Sequence, residues 1–455
     1  MNILLRELVK STKGKFIFGN PLQQIMGVST DTRAPCKGMA FFALKGKNYD
    51  GYEFIKKAAE KGAAVLIISK LGNELDEFFP NIPGVIVVGD TLQALGDFAG
   101  YYRSKFPVIT IGITGSNGKS TTKEMLASIL SIEKPTLANF GSYNNLVGVP
   151  LTLFELNKEH QYCVLELGIS VPGEIDRLIE ITSPKICVIT NIGSTHLEYL
   201  KTINGVFEEK RKLVDSLAKD EIAVLNIDDE YLKKLSGELS CKVITYGLNP
   251  TADVHPTDIS MKETGLKFTL HSPSGTISLE LPVYGRFNIY NALAASASAH
   301  ALGVSLETIQ KGLLQFKQLH MRMEIIKTPE GAIIVNDAYN ANPSSMREAL
   351  ENFVQMYPDR QKIAVLGDML ELGDSAKEEH ALLGEFTARL PLFKIYLYGK
   401  KVKYFIVPSL TETIYFEDQA ALTVKLKSEL NDSVAVLFKG SRALELEKIV
   451  ERLIV

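Results

Sequence analysis

The residues with the plainest chemistry lie in VITIGITGSNGKSTTKEMLASIL (108 to 130), where an apolar strand runs into a glycine-rich turn and a helix starting near Lys119. A phosphate needs donors without bulk: glycines let backbone N–H groups close around oxygen, and the helix N-terminus adds partial positive charge. Gly115, Ser116, Asn117, Gly118, Lys119, Ser120 and Thr121 form that cradle, with Lys119 placed to neutralise the β/γ-phosphates and the Ser120 hydroxyl to bind Mg²⁺. The spacing departs from G-x-x-x-x-G-K-[ST]: Ile113 stands where the first glycine belongs, and the glycines here are Gly112, Gly115 and Gly118. The strand-turn-helix setting separates this loop from a turn that merely caps a helix. A kinase and a ligase both remain open. A GTPase does not fit, since the nearest string to an N-K-x-D guanine box is Asn157-Lys158-Glu159.

In doubly wound sheets ligands collect at the C-terminal ends of strands, so polar residues just past apolar runs matter. YCVLELGIS puts Glu166 at such an end, and ICVITNIGSTHLEYL puts His196 a few residues beyond the next. A carboxylate and an imidazole beside triphosphate oxygens could hold Mg²⁺, although Mg²⁺ prefers oxygen and a His ligand is unusual. Taken alone, Glu166 reads equally as a strand-end charge and His196 as a loop cap. FEEKRKLVDSL (207 to 217) reads as a charged helix, and its local pattern makes Lys210 a solvated surface lysine.

The elements that must position these groups are legible as alternation. Short Val/Ile-rich runs and helical patterns follow one another in KKAAEKGAAVLIIS (56 to 69), GVIVVGDTLQALGDFAGYYRSKF (84 to 106) and KICVITNIG (185 to 193). That is the signature of βαβ units around largely parallel, doubly buried sheets, hence an α/β fold. Three blocks are expected at 1–106, 107–315 and 316–455. The first ends in an amphipathic helix before Pro107, and the second contains a hairpin, LKFTLHSPSGTISLELPV (266 to 283), turning at Pro273-Ser274-Gly275. The second block closes with an Ala-rich helix, NIYNALAASASAHALG, ended by Gly303. The third opens with a hairpin, MEIIKTPEGAIIVND, and then Asn342-Pro343, where Asn caps and Pro enters the first turn of the following helix.

Composition bounds the remaining classes. A chain of 455 residues suggests about three domains. Lys+Arg 50 against Asp+Glu 53 leaves a net charge of −3, so no global positive field exists to hold nucleic acid or an anionic membrane. Hydrophobic residues at 45% and charged residues at 23% exclude a disordered or fibrous chain. Cys36, Cys163, Cys187 and Cys241 stand singly, without a C-x-x-C pair, so neither a zinc knuckle nor a disulfide framework is indicated. MNILLRELVKSTKGK lacks the apolar stretch of a signal peptide, and no run reaches the length of about 20 apolar residues that spans a bilayer. The expectation is a cytoplasmic, monomeric protein.

Eight strings in order along the second and third blocks carry a resemblance: TGSNGKSTTKEM (114 to 125), NFGSYNNLVGVPLTL (139 to 153), LELGISVPGEI (165 to 175), NIGSTHLEYL (191 to 200), GRFNIYNALAA (285 to 295), NDAYNANPSSM (336 to 346), VLGDMLELG (365 to 373) and KGSR (439 to 442). Together they resemble the Mur ligase family. The D-x-Y-N-A-N-P and K-G-S-R strings resemble the branch that adds D-alanyl-D-alanine to UDP-N-acetylmuramoyl-tripeptide. The resemblance implies an N-terminal domain for the UDP-sugar, a central P-loop ATPase domain and a mobile, Rossmann-like C-terminal domain that brings the amine. It also implies the chemistry of peptidoglycan precursor synthesis: ATP phosphorylates the tripeptide carboxylate, and the dipeptide amine attacks the acyl phosphate.

Carried over by position, the resemblance makes Ser120 and Glu166 ligands of one Mg²⁺ and His196 a ligand of a second. Lys210 falls where the family has a carbamylated lysine, a cation turned into an oxygen donor. Lys119, His196 and Lys210 are thus the residues expected to carry catalysis. Asn288 and Asn291 resemble adenine contacts, and Arg322 and Asp337 phosphate and ribose contacts; the plainer alternatives are a capped Ala-rich helix and a hairpin-end ion pair. Ser29, Asp31, Arg33, Lys45 and Asp50 resemble the UDP-sugar site, and Asn144 and Asn145 are expected to approach the muramoyl-peptide. Asn340, Asn342, Lys439, Ser441 and Arg442 are candidates for the dipeptide or a closed interface, although Ser441 could be only a helix cap.

Phe287 departs from the His usual in the family's G-x-H-N motif, Ser120 replaces the commoner Thr, and HMRMEII (320 to 326) departs from the usual Gly-Arg opening while keeping Arg322. The competing readings are another ligase of the family, either amino-acid-adding or folylpolyglutamate-forming, and a nucleotide-gated binding protein without turnover. Lysine and diaminopimelate at the third peptide position stay equally open. Because one nucleotide must meet both Asn288 and Arg322, the C-terminal block is expected to swing about a hinge near Phe316 to Leu319.

Overall fold

A computed structural model of the chain describes residues 1, 3–46, 49–72, 84–262, 265–405 and 411–454. The described residues cluster into two compact units, one comprising Met1–Gly112, Lys134–Ile169 and Gly173–Ile186, the other Ile113–Glu133, Ser170–Pro172 and Cys187–Val455. The strands Ile109–Thr114 and Ile186–Ile189 carry the chain from one unit into the other.

The first unit holds a five-stranded sheet in the order Lys15–Gly19, Gly84–Val87, Val65–Ile68, Met39–Phe42, Gly27–Ser29. Only the edge strand Lys15–Gly19 runs antiparallel to its neighbour. Val65–Ile68 is an unbroken apolar run buried at every residue, as a strand covered on both faces must be. Asp90 starts the helix Thr91–Arg103 by accepting the N–H groups of Leu92 and Gln93 at 2.7 and 2.9 Å. In the same unit the short strand Thr136–Ala138 pairs in parallel with Tyr162–Glu166.

In the second unit the phosphate-loop helix Lys119–Leu130 packs against Phe287–Ala301 and Leu306–Leu314. Small side chains permit the approach: Ala292, Ala294, Ala295, Ser296, Ala297 and Ser298 are all buried, and a Cβ at Gly312 would lie 2.3 Å from the Cα of Ile129. Gly303 ends the Ala-rich helix as expected, at φ 75, with Gly303 and Val304 donating to the carbonyls of His300 and Ala299. The expected hairpin forms between Gly265–Ser272 and Gly275–Leu281, and a third antiparallel strand, His255–Lys262, joins it. The irregular pairing between Thr257 and Ser260 hides that third strand from an alternation count.

The C-terminal part of the second unit is a six-stranded sheet in the order Glu324–Lys327, Ile333–Asn336, Val434–Lys439, Gln361–Gly367, Lys394–Tyr398, Glu412–Phe416. The first strand is antiparallel to its neighbour, forming the expected hairpin, and the rest are parallel. Residues alternate between two cores. Ala364, Leu366, Ile395, Leu397 and Leu437 pack under Met346, Leu350, Phe353 and Leu383, while Ile363, Val365, Tyr396, Val436 and Phe438 pack under Leu422, Leu426, Ile449 and Leu453. Asn342 accepts the N–H of Ser345 at 2.9 Å and Pro343 takes the first helical position, as expected. Among the described residues no helix is long and apolar enough to cross a membrane.

Candidate functional site

The phosphate loop is held by hydrogen bonds from the protein itself. Ser116 N–H donates to the Asn191 carbonyl at 2.9 Å, Asn117 N–H to Asn191 Oδ1 at 2.9 Å, and Thr190 Oγ1 to the Asn117 carbonyl at 2.5 Å. Gly193 N–H donates to Ser116 Oγ at 2.8 Å. The end of the strand Ile186–Ile189 thus braces the loop through Thr190, Asn191 and Gly193, none of which the sequence reading gave a role, although Asn191 and Gly193 open the string NIGSTHLEYL. Their signal was present in the polar Thr-Asn pair that ends an apolar run.

Gly115 and Gly118 are obligatory. Their φ angles are 145 and 80, and an added Cβ would lie 1.9 Å from Thr190 Oγ1 and 2.2 Å from Asn291 Oδ1, respectively. No side chain caps the helix Lys119–Leu130, so its first-turn N–H groups face the loop for an anion to use. Lys119 Nζ donates to the carbonyls of Gly115 and Ser116 at 2.8 and 3.3 Å, folded over the cradle it would share with phosphate.

Asn288 and Asn291 are buried beside this loop. Asn291 Nδ2 donates to Asn288 Oδ1 at 2.9 Å, and Asn288 Nδ2 to the Tyr284 carbonyl at 2.6 Å. Between them Tyr290 donates its phenol to Asp228 Oδ2 at 3.0 Å. The next residue, Asp229, accepts Ile192 N–H at 2.7 Å, so consecutive aspartates steady the asparagine helix and the brace of the phosphate loop.

The third block reaches the same loop. Arg322 Nη2 donates to Ser120 Oγ at 3.2 Å, and its guanidinium lies 3.9 Å from the Tyr339 ring centroid. Asp337 Oδ2 accepts from Lys439 Nζ at 2.5 Å, and Lys439 also donates to the Asn340 carbonyl at 3.2 Å. The alternative hairpin-end pair of Arg322 with Asp337 is therefore not formed, because each has a better-placed partner. Asn340 Oδ1 accepts Ala341 N–H at 2.9 Å. Ser441 Oγ accepts Leu370 N–H at 2.9 Å and makes no side-chain cap, and Arg442 pairs with Glu447. On the helix Pro343–Met356, burial pushes the Glu348 carboxyl up to about 7 against the opposing pull of Lys439.

Lys210 corrects the reading of its local pattern: it is 1% exposed, not solvated. The helix Ile203–Asp215 turns Val206, Lys210, Leu213 and Val214 inward together, and the i, i+4 spacing from Val206 was the overlooked signal. Burial, with the nearby Lys119 charge, drives the Lys210 pKa well below its ordinary value. His196 adopts the left-handed region at φ 55, uncommon for a residue with a Cβ and a mark of functional loops. Its Nδ1 lies 2.6 Å from Glu371 Oε2, and that contact holds the Glu371 carboxyl below the usual range.

In the first unit Glu166 is not an exposed strand-end charge but 3% exposed. Asn139 holds its backbone through two hydrogen bonds of 2.9 and 3.0 Å, and Asn144 Nδ2 donates to Glu166 Oε1 at 2.8 Å. Glu166 Oε2 is buried without a hydrogen-bond partner, a donor atom that suits a cation. Asn145 Oδ1 accepts the N–H groups of Val147 and Gly148 at 3.0 and 2.8 Å and so starts the helix Gly148–Leu153. Ser29 is buried, while Asp31 and Arg33 form a solvent-facing pair at 2.7 Å that holds the Asp31 carboxyl at about 2. Lys45 and Asp50 face each other in an isolated β-bridge, and Asp50 accepts Tyr52 N–H at 2.9 Å. Among the described residues no three His, Cys, Asp or Glu side chains form a metal site by themselves.

Fold and site define a class: an α/β protein whose phosphate loop is contacted by a Rossmann-like C-terminal block. Residues 24–103 match the Mur ligase family, catalytic domain, residues 113–299 the Mur ligase middle domain, and residues 321–442 the Mur ligase, glutamate ligase domain. The chain is 35% identical to the UDP-N-acetylmuramoyl-tripeptide--D-alanyl-D-alanine ligase of Bacillus subtilis (strain 168), over 99% of this chain and 97% of that one. It is 34% identical to the ligase of the same name from Escherichia coli (strain K12), over 94% of this chain and 93% of that one. Among solved structures it resembles MurF from Acinetobacter baumannii at TM-score 0.92 and 35% identity, covering 100% of this chain and 99% of that one. It also resembles the MurF ligase of Thermotoga maritima in complex with ADP at TM-score 0.84 and 27% identity, covering 94% and 96%. The chain belongs to the Mur ligase family.

Proposed function

We propose that the chain is an ATP-dependent ligase that joins D-alanyl-D-alanine to UDP-N-acetylmuramoyl-tripeptide, forming ADP and phosphate in peptidoglycan precursor synthesis. Relatives carrying that name align along nearly the whole chain, so the C-terminal block is included in the match. The observation that carries the reading is the phosphate loop touched by Arg322 and Asn342, since a ligase must bring its amine to the atom that ATP has activated. In this reading residues 1–106 hold the UDP-sugar, with Ser29, Asp31, Arg33, Lys45 and Asp50 as contacts. Residues 107–315 hold ATP, and residues 316–455 hold the dipeptide, with Asn340, Asn342, Lys439, Ser441 and Arg442 serving the dipeptide or the closed interface.

A carboxylate is a poor electrophile, because its oxygen is a poor leaving group. Transfer of the γ-phosphoryl group to that oxygen yields an acyl phosphate and ADP; the amine nitrogen then bonds to the carbonyl carbon, the C–O bond to phosphate breaks, and the amine proton is lost. Loop N–H groups and Lys119 meet the charge on the transferring phosphoryl group, so the protein contributes mainly position and electrostatics. Asn288 and Asn291 shape the adenine end, and Arg322 and Asp337 the phosphate and ribose end. Ser120 would hold one Mg²⁺, and His196 a second, with Lys210 as an oxygen donor once carbamylated; the partnerless buried oxygen of Glu166 would likewise suit a cation. Bound Mg²⁺ supplies positive charge to the triphosphate. The depressed pKa of buried Lys210 favours a neutral amine, the form that can be carbamylated into an oxygen donor.

The test is an omission assay on the purified protein. ADP release should require UDP-N-acetylmuramoyl-tripeptide and the dipeptide together, with pentapeptide formed in equal amount. ADP release independent of both peptides would overturn the reading.

A further inference from the structure

Asn117 divides its duties. Its backbone serves the phosphate loop, donating to Asn191 Oδ1 and accepting from Thr190 Oγ1. Its side chain points to another part of the chain. Asn117 Nδ2 donates to Ser344 Oγ at 2.8 Å, Ser344 Oγ donates to Asn342 Oδ1 at 2.9 Å, and Asn342 Nδ2 donates back to Asn117 Oδ1 at 2.8 Å. Three neutral side chains separated by up to 227 residues thus close a ring in which each donates once and each accepts.

Asn342 divides its amide in the same way. Its oxygen caps the helix Pro343–Met356 through Ser345 N–H, while its nitrogen grips the phosphate loop. A cap and a grip made by one planar amide cannot move independently, so the helix start follows the loop. The ring holds no charge, so making and breaking it requires no buried ion to be desolvated. Ser344 also sits beside the loop's brace, where a Cβ on Gly193 would be 3.3 Å from its Oγ.

We propose that the Asn117–Ser344–Asn342 ring is a latch that keeps the amine-binding block on the phosphate loop while the acyl phosphate waits, with Ser344 as a positioning residue for amide formation. The inference rests on the ligase reading above. Loosening the latch admits water to the acyl phosphate; water then bonds to the carbonyl carbon, phosphate leaves, and the starting carboxylate returns, so ADP accumulates without amide.

Ser344→Ala removes two of the ring's hydrogen bonds and keeps the Asn342 cap, whereas Ser345→Ala damages the capping box and leaves the ring intact. The readout is ADP formed per amide formed at saturating substrates, with KM for D-alanyl-D-alanine and melting temperature alongside. Wild type and Ser345→Ala should stay at one ADP per amide. Ser344→Ala should raise the ratio to roughly two or more and the dipeptide KM about fivefold, as loss of two neutral hydrogen bonds from a closed state implies. Ser344→Thr, which keeps the hydroxyl, should return the ratio toward one. A Ser344→Ala protein that couples as well as wild type, whatever its melting temperature, overturns the latch alone. A wild-type protein that makes no amide overturns the ligase reading and the latch with it.

Discussion

Arg322 lies on Ser120: its Nη2 is 3.2 Å from the Ser120 hydroxyl oxygen across 202 residues of chain, while its guanidinium stacks 3.9 Å from the Tyr339 ring centroid. The stacking fixes the plane of the fork and the hydroxyl fixes its reach, so a cation from the C-terminal block is held at the mouth of the phosphate loop. Asp337 and Lys439, paired at 2.5 Å, fix the strand ends beside it.

Arg322→Lys keeps the charge but loses the planar fork and its stacking. The ATP KM should rise at least about thirtyfold, the combined worth of a cation–π contact and one charged hydrogen bond. Steady-state kinetics with ATP as the varied substrate check this, and an unchanged KM would remove Arg322 from the nucleotide site.

Gly118→Ala meets two obstacles, a φ of 80 that costs about 1–2 kcal/mol for a residue with a Cβ and an Asn291 oxygen 2.2 Å from the new methyl. Nucleotide affinity, measured calorimetrically with a nonhydrolysable ATP analogue, should fall at least about tenfold. Combined with Asn291→Ala, the loss should be smaller than the sum of the two single losses, because one clash has been removed. Strict additivity would mean that Asn291 does not confine the loop.

The Glu348 carboxyl is raised from 4.5 to about 7, chiefly by burial. Between those values the folded protein binds more protons at this residue than the unfolded chain does, so the stability it contributes is present below 4.5 and is lost as pH rises through about 7. Glu348→Gln should therefore gain melting temperature relative to wild type as the pH climbs from 4.5 to 8. A constant difference across that range would show that Glu348 titrates normally.

Lys210→Ala should be nearly inactive, with partial rescue by short carboxylates that refill the oxygen-donor position. Wild-type turnover in bicarbonate-depleted buffer should fall in parallel and recover when bicarbonate returns. Full activity without bicarbonate would exclude the carbamate.

The fold was legible where local rules agree with tertiary ones. The Gly303 stop, the Asn342-Pro343 start, both hairpins and the phosphate-loop helix follow from caps and periods that act within a few residues. Lys210 was misread from its charged neighbours, because one inward position on a polar helix is decided by what the helix packs against. Asp228 lies in no motif, and Ser344, Asn191 and Glu371 lie inside motif strings that give them no role of their own. Their roles come from partners in distant segments, which no local window contains. Glu166 and His196 stand out in the sequence by their position after strands, but the burial of the one and the left-handed backbone of the other depend on surrounding loops that no local window contains.

The central claim is that ATP activates the substrate's carboxylate, and the direct measurement follows an oxygen atom. UDP-N-acetylmuramoyl-tripeptide labelled with oxygen-18 in its terminal carboxylate is turned over with ATP and D-alanyl-D-alanine, and the released phosphate is analysed by mass spectrometry. Transfer of one labelled oxygen into phosphate for each amide formed is the predicted result; unlabelled phosphate accompanying labelled pentapeptide would contradict it.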